Sequence, residues 1–189
     1  KCLVHVFHMV GDIGFYHKGS LDHYDSVIMP GDFTLRSIRE LEKKRSIPEK
    51  QCLSLGLPYF DELYLKASKY NCKKNEKTIL IAPSWGDKGL LSICGIDFIA
   101  QVAKEYNVIV RPHPHSRTVE LNLINRLITT YNNHERVKID LAIDGSESIS
   151  RADLMISDSS GVRFDFSFLY GKQVISLDAS YGDLSKLEA

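Results

Sequence analysis

Short apolar runs of β type recur along this chain, separated by helix-length segments, and no other feature restricts its possible folds as much. The runs are Leu3–His8, Ser26–Met29, Cys52–Gly56, Thr78–Ala82, Val108–Arg111, Arg136–Ile139, Leu154–Ser157 and Gln173–Leu177. Between most of them lie Phe33–Lys44, Tyr59–Tyr70, Leu90–Tyr106, Thr118–Tyr131, Ser146–Ala152 and Gly161–Tyr170, whose length and apolar spacing predict helices. Strands that alternate with helices pair in parallel and are covered on both faces. The expected class is therefore α/β, with Rossmann-like parallel sheets and helices on both faces.

The polar segment Ser68–Lys77 interrupts the alternation and reads as a linker, which places a domain boundary near residue 75. Residues 1–74 hold three of the runs, too few for a complete doubly wound domain, whereas residues 75–189 hold five and could stand alone. The chain opens inside a β-type run, so it reads as a piece cut from a longer protein. Any membrane segment or partner domain would then lie outside it.

Composition narrows the function. With 43% hydrophobic residues in 189, the chain can bury a core, which excludes a disordered protein. The 24 Lys and Arg balance the 24 Asp and Glu, so no global field favours nucleic acid or an anionic membrane, and any phosphate affinity must be local. No apolar stretch approaches the roughly 20 residues that span a bilayer. Cys2, Cys52, Cys72 and Cys94 are widely spaced, two of them inside apolar runs. They read as reduced, structural thiols in a cytoplasmic protein rather than as disulfides or zinc ligands.

Four loops carry candidate chemistry. In Ile156-Ser157-Asp158-Ser159-Ser160-Gly161 a strand gives way to a helix, and the hydroxyls and first-turn amides offer a cradle for phosphate. Plain helix capping is the ordinary alternative. In Arg111-Pro112-His113-Pro114-His115 the two prolines fix the chain extended, holding a guanidinium fork and two imidazoles above the sheet. A proline-stiffened turn with solvated histidines explains the same residues, and no neighbouring carboxylate or Cys completes a metal site. Ala82-Pro83-Ser84-Trp85-Gly86-Asp87-Lys88-Gly89 permits close backbone approach to a ligand but lacks P-loop spacing, and a surface turn is the alternative. His8, leaving its strand into a Gly-containing loop, is either a general base or a hydrogen-bonded structural residue. His5 reads as packed or partly exposed, and His17, His23 and His134 have no constellation around them.

In order along the chain, these motifs resemble the CDP-glycerol glycerophosphotransferase family, which includes the teichoic acid glycerol-phosphate primases and polymerases. The matching residues are His8, Asp25-Ser-Val-Ile-Met, Leu55-Gly56-Leu57-Pro58-Tyr59-Phe60-Asp61-Glu62-Leu63, Ile81-Ala82-Pro83-Ser84-Trp85, Arg111-Pro112-His113-Pro114, and Ala152 to Ser160 with Phe164-Asp165-Phe166. The resemblance implies a GT-B architecture, in which residues 1–74 are the closing part of the first, acceptor-side lobe and residues 75–189 a nearly complete nucleotide-binding lobe. It implies transfer of glycerol phosphate, or a similar polyol phosphate, from a CDP-activated donor to a hydroxyl of a wall- or capsule-polymer acceptor or a lipid-linked one, with release of CMP. No cofactor, metal or nucleic acid is implied. The expected location is the cytoplasm at the inner face of the cell membrane, with any membrane contact made by parts outside this chain.

The same resemblance implies roles for single residues. His8 would be the base that deprotonates the acceptor, and His113 would stabilise or protonate the leaving group. Arg111 would stabilise the diphosphate, Ser159 and Ser160 would hold the phosphates, Ser84 and Asp158 would belong to the substrate-binding set, and Asp165 could reach the ribose. Three departures from the family pattern leave the donor open among CDP-glycerol, CDP-ribitol and another activated group: Met9 stands where Gly is usual, Ser84-Trp85-Gly86 where Thr-Trp-Arg is common, and Asp158-Ser159-Ser160-Gly161 where Asp-Tyr-Ser-Ser is common. Two alternatives share parts of the pattern. One is a nucleotide-sugar glycosyltransferase or UDP-sugar epimerase of GT-B fold, and the other is a non-catalytic module of a polymer-assembly machine.

Overall fold

The computed structural model describes residues 1–11, 13–67 and 77–177. Chain contacts separate a first unit, Lys1–Glu62, from a second that begins at Leu63. The division falls inside a helix, ahead of the boundary expected near residue 75; the linker residues 68–76 lie outside the described residues.

The first unit is a three-stranded parallel sheet of β1 (Val4–Val6), β2 (Ser26–Met29) and β3 (Gln51–Ser54), in that order. Helix α1 (Leu35–Arg45) joins β2 to β3, and α2 (Pro58–Ala67) follows β3. Phe7, Val27, Met29, Ile38 and Leu57 build its core. Buried Glu42 ties α1 to the start of β3, accepting hydrogen bonds from Arg39 Nη1 and from the Lys50 amide, each at 2.8 Å. A cluster of rings covers β1: His5 meets Phe7, Tyr16 and Tyr24 edge-on at 5.0 to 5.3 Å, and its Nε2 lies 3.2 Å from the Tyr16 hydroxyl.

The second unit contains β4 (Thr78–Ala82), α3 (Leu90–Cys94), α4 (Phe98–Val102), β5 (Asn107–Val110), α5 (Ser116–Val119), α6 (Leu121–Tyr131), β6 (Val137–Ile139), α7 (Ser146–Arg151), β7 (Leu154–Ser157), α8 (Val162–Tyr170) and β8 (Gln173–Ser176). All five strands are parallel, in the order β6-β5-β4-β7-β8. Successive side chains of a strand face opposite sides, and β4 shows the consequence. Ile79 and Ile81 join Val108, Val110, Leu90, Ile99, Ile124 and Leu127 on one face, while Leu80 and Ala82 join Ile109, Met155 and Phe166 on the other. Helices therefore cover both faces, as the continuous apolar runs predict.

The helix expected over Leu90–Tyr106 is instead two short ones. Gly95 takes φ +70° between them, a left-handed conformation that a helix interior does not allow. The break turns the Ile96 carbonyl toward the buried Tyr131 hydroxyl, which donates to it at 2.8 Å.

Partial burial, aided by the neighbouring His8 charge, lowers the pKa of His5 below its usual 6.5. The unfolded chain then binds the extra proton first, so this contribution to stability is complete above about pH 6.5 and is lost as pH falls toward the lowered value. Denaturant titrations at pH 5 and pH 7.5 are expected to show a smaller acid loss in His5→Gln than in the parent chain. An unchanged difference would remove His5 from the acid sensitivity.

Candidate functional site

In the second sheet the chain leaves β4 toward β5 on one side and leaves β7 toward β8 on the other. β4 and β7 are neighbours, so the crevice beyond their carboxyl ends is a topological switch point, where open parallel sheets bind ligands. The Ser84 loop, the Arg111–His115 loop and the Asp158–Gly161 loop all emerge at this edge. By contrast, the cleft lined by Lys77, Glu105, Tyr106, Asn107 and Arg136 lies at the opposite edge, near the amino ends of β4 and β5.

Asp158 joins two of the loops. It is 3% exposed, and its Oδ1 accepts hydrogen bonds from the Ser84 amide at 2.7 Å and the Ser160 amide at 3.1 Å, while Oδ2 accepts from the Leu90 amide at 2.7 Å. A buried carboxylate is tolerated when fixed donors replace its water. Both oxygens face protein amides, so Asp158 shapes the loops around the crevice. Close beside it, Ser157 Oγ donates to the Ala82 carbonyl at 2.6 Å, and Gly89 lies where an added Cβ would come within 2.8 Å of the Ser84 carbonyl oxygen. Only Gly fits that turn.

Ser159 and Ser160 are half-buried above this latch, and Gly161 caps α8. The Gly161 and Val162 amides precede the first bond of the helix, made by Arg163 N–H to the Ser160 carbonyl at 3.4 Å. Two hydroxyls and the positive end of α8 therefore gather at one place. Arg163, which the sequence reading did not single out, adds a cation there: its Nη1 donates to the Asp158 carbonyl at 3.1 Å and to Ser176 Oγ at 2.8 Å. Asp165 sits partly buried further along the same helix.

Arg111 is turned to another task. Its Nη1 donates to Asp140 at 2.7 Å and its Nη2 to the Ile143 carbonyl at 3.1 Å, while Gly145 lies so close that an added Cβ would sit 2.5 Å from Nε. Asp140 also accepts from the Ser148 hydroxyl and the Ala142 amide. Burial opposes its charge, yet these hydrogen bonds and the guanidinium outweigh burial and hold its pKa below the usual value. Arg111 thus braces the loop after β6, which exposes Ile143 almost completely, at 94%.

His113 is half-buried, and its Nδ1 accepts the His115 amide at 3.1 Å. The His113 and His115 rings stack at 5.6 Å with 5° between planes, and Trp85 lies 5.2 Å from His115 and 6.4 Å from His113. Burial lowers the pKa of His113, the His115 charge lowers it further, and Asp158 and Glu120 act against both. Glu120 accepts from Ser92 Oγ at 3.3 Å through one oxygen. The remaining candidate, His8, belongs to the first unit, exposed after β1 with its ring 6.2 Å from Tyr16.

Cys2 and Cys94 are exposed free thiols and Cys52 is half-buried, so the burial expected of thiols in apolar runs is not general; Cys72 lies outside the described residues.

Residues 16–175 match the model of the family CDP-glycerol:poly(glycerophosphate) glycerophosphotransferase. The chain belongs to this glycerophosphotransferase family. The match spans the Ser84, Arg111–His115 and Asp158–Asp165 segments and begins after His8. No curated protein sequence matches the chain. Among solved structures, the wall teichoic acid polymerase TagF, soaked with CDPG, is 23% identical with a TM-score of 0.52, covering 86% of this chain and 39% of its own. The UDP-GlcNAc 2-epimerase from Neisseria meningitidis, bound to UDP-GlcNAc, is 19% identical with a TM-score of 0.52, covering 82% of this chain and 44% of its own. A proposed UDP-N-acetylglucosamine 2-epimerase from Listeria monocytogenes is 14% identical with a TM-score of 0.63, covering all of this chain and 54% of its own. The chain thus spans about two fifths to half the length of these structures, and it has their GT-B-type α/β fold.

Replacing Asp158 by Ala strands the Ser84 and Leu90 amides in the interior, at about 1–3 kcal/mol for each unsatisfied donor. Denaturant unfolding is expected to show a loss of about 3 kcal/mol in Asp158→Ala. A loss below about 0.5 kcal/mol, the usual effect of a neutral surface change, would contradict the latch.

Proposed function

We propose that the second unit holds the diphosphate of a CDP-activated polyol and that, within the full-length enzyme, it serves transfer of glycerol phosphate or a similar polyol phosphate to a polymer hydroxyl. The observation that carries this reading is the gathering of Ser159, Ser160, the first amides of α8, Arg163 and His113 at one switch point, in a chain of this family. Hydroxyls, helix amides and a fixed guanidinium together suit a diphosphate. In this reading Ser84 adds a contact from the β4 loop, and Asp165 meets a ribose hydroxyl. Arg111 and Asp158 serve the site as its frame. Residues 1–74 are assigned to the acceptor-side lobe and residues 75–189 to the nucleotide lobe.

The acceptor hydroxyl attacks the β-phosphorus in line, its proton passing to His8, while the bond from that phosphorus to the CMP oxygen breaks. A phosphate monoester has a second pKa near 6, so CMP leaves as an anion at neutral pH and needs donors more than a proton. His113 meets that need as a neutral ring: its Nδ1 is an acceptor, which leaves Nε2–H to donate to the developing charge. The expected location remains the cytoplasmic face of the membrane. Among the described residues no helix is long and apolar enough to cross a membrane.

Calorimetric titration with CMP, CDP-glycerol and UDP-GlcNAc tests the donor class: cytidine ligands are expected to bind tighter, and tighter uridine binding would favour an epimerase-like site instead. In the full-length protein supplied with acceptor, His8→Ala and His113→Ala are each expected to slow CMP release by about 100-fold or more. Undiminished release in both would remove these two histidines from catalysis.

A further inference from the structure

Trp85 belongs to the loop after β4. It is the only Trp in the sequence, it is half-exposed at the crevice, and it touches both imidazoles of the Arg111–His115 loop. Its loop is fixed from below, because the adjacent Ser84 amide is bound by Asp158. On the other side, Pro112 and Pro114 stiffen the segment that carries His113, and the His115 amide donates to His113 Nδ1.

An imidazole ring reads nearly the same when flipped by 180°, and its two tautomers differ little in isolation. Here a flip would carry Nδ1 away from the His115 amide, and a shift of the hydrogen to Nδ1 would set two donors against each other. The parallel stack on His115, with Trp85 against both rings, blocks the rotation that a flip requires. We propose that Trp85 and His115 are positioning residues that hold His113 in one orientation and one tautomer, with Nε2–H as its donor to the ligand. The groups facing His113 are His115 on its own loop, Trp85 from the β4 loop, Asp158 from the end of β7 and Glu120 from the junction of α5 and α6. Burial and the His115 charge keep the ring neutral against the two carboxylates, so the lock works at neutral pH. Its kinetic consequence rests on the phosphotransferase reading, but the tautomer itself does not.

The test uses the full-length protein with Trp85→Leu, Trp85→Phe and His115→Asn. Long-range proton–nitrogen NMR of labelled histidines at pH 7.5 is expected to show His113 as a single Nε2–H tautomer in the parent and in Trp85→Phe, and as a mixture in Trp85→Leu and His115→Asn. For CMP release, kcat is expected to fall about tenfold in Trp85→Leu with KM for CDP-glycerol within about twofold, and Phe is expected to restore most of the loss. The acid limb of the kcat profile is expected to move to higher pH in Trp85→Leu, because a ring less shielded from water takes up its proton more easily. Unchanged thermal midpoints in these variants show that the fold is intact, as a half-exposed side chain allows. An Nδ1–H or mixed tautomer in the parent, or a Trp85→Leu protein matching the parent in tautomer, kcat and pH profile, overturns the proposal. If the parent releases no CMP, the phosphotransferase reading fails while the NMR arm still decides the positioning of His113.

Discussion

Asp158 is the point from which the rest of the crevice hangs. One buried carboxylate binds the backbone of the β4 loop, the start of α3 and the start of the α8 cap, and the position of each follows from the geometry of a single side chain. Burying that charge is costly in isolation, and three amide donors offset the cost by replacing its water. The amides of Ser84, Leu90 and Ser160 in turn are satisfied by that one carboxylate. Loop and carboxylate therefore hold each other, and Trp85, Ser159 and Ser160 sit on the far side of this arrangement from the sheet.

A second carboxylate organises the neighbouring edge by the same means. Asp140 draws in Arg111, Ser148 and the Ala142 amide, which orders the loop after β6 and leaves Ile143 in solvent. Two acidic residues thus shape the edge of the sheet. Keeping the carboxylates inward, with their charge already neutralised by donors, lets a phosphate approach without meeting like charge at close range.

Much of this was legible in the sequence. Continuous apolar runs such as Thr78-Ile-Leu-Ile-Ala82 announce strands buried on both faces, and the polar residues that end them mark the functional edge. What the sequence could not tell is which partner a charged side chain chooses. Arg111 lies in the same loop as His113, and its partner Asp140 is 29 residues away, out of reach of any local pattern. Asp158 likewise binds the Ser84 and Leu90 amides, 74 and 68 residues away, which no local pattern announces. Arg163 was missed because nothing local marks it; its partner Ser176 lies on the next strand. Gly95 could have flagged the break in the expected long helix, since a Gly inside an apolar period weakens a helix.

The most direct measurement is the position of the diphosphate in a crystal structure of the full-length protein with CDP-glycerol or CMP. Phosphate oxygens seated on the Ser159 and Ser160 hydroxyls and the Gly161 and Val162 amides, with His113 Nε2 within hydrogen-bond distance, are the expected result. A diphosphate bound away from the amino end of α8, or reached by Asp158 only after its loops have unlatched, would contradict the placement of the site.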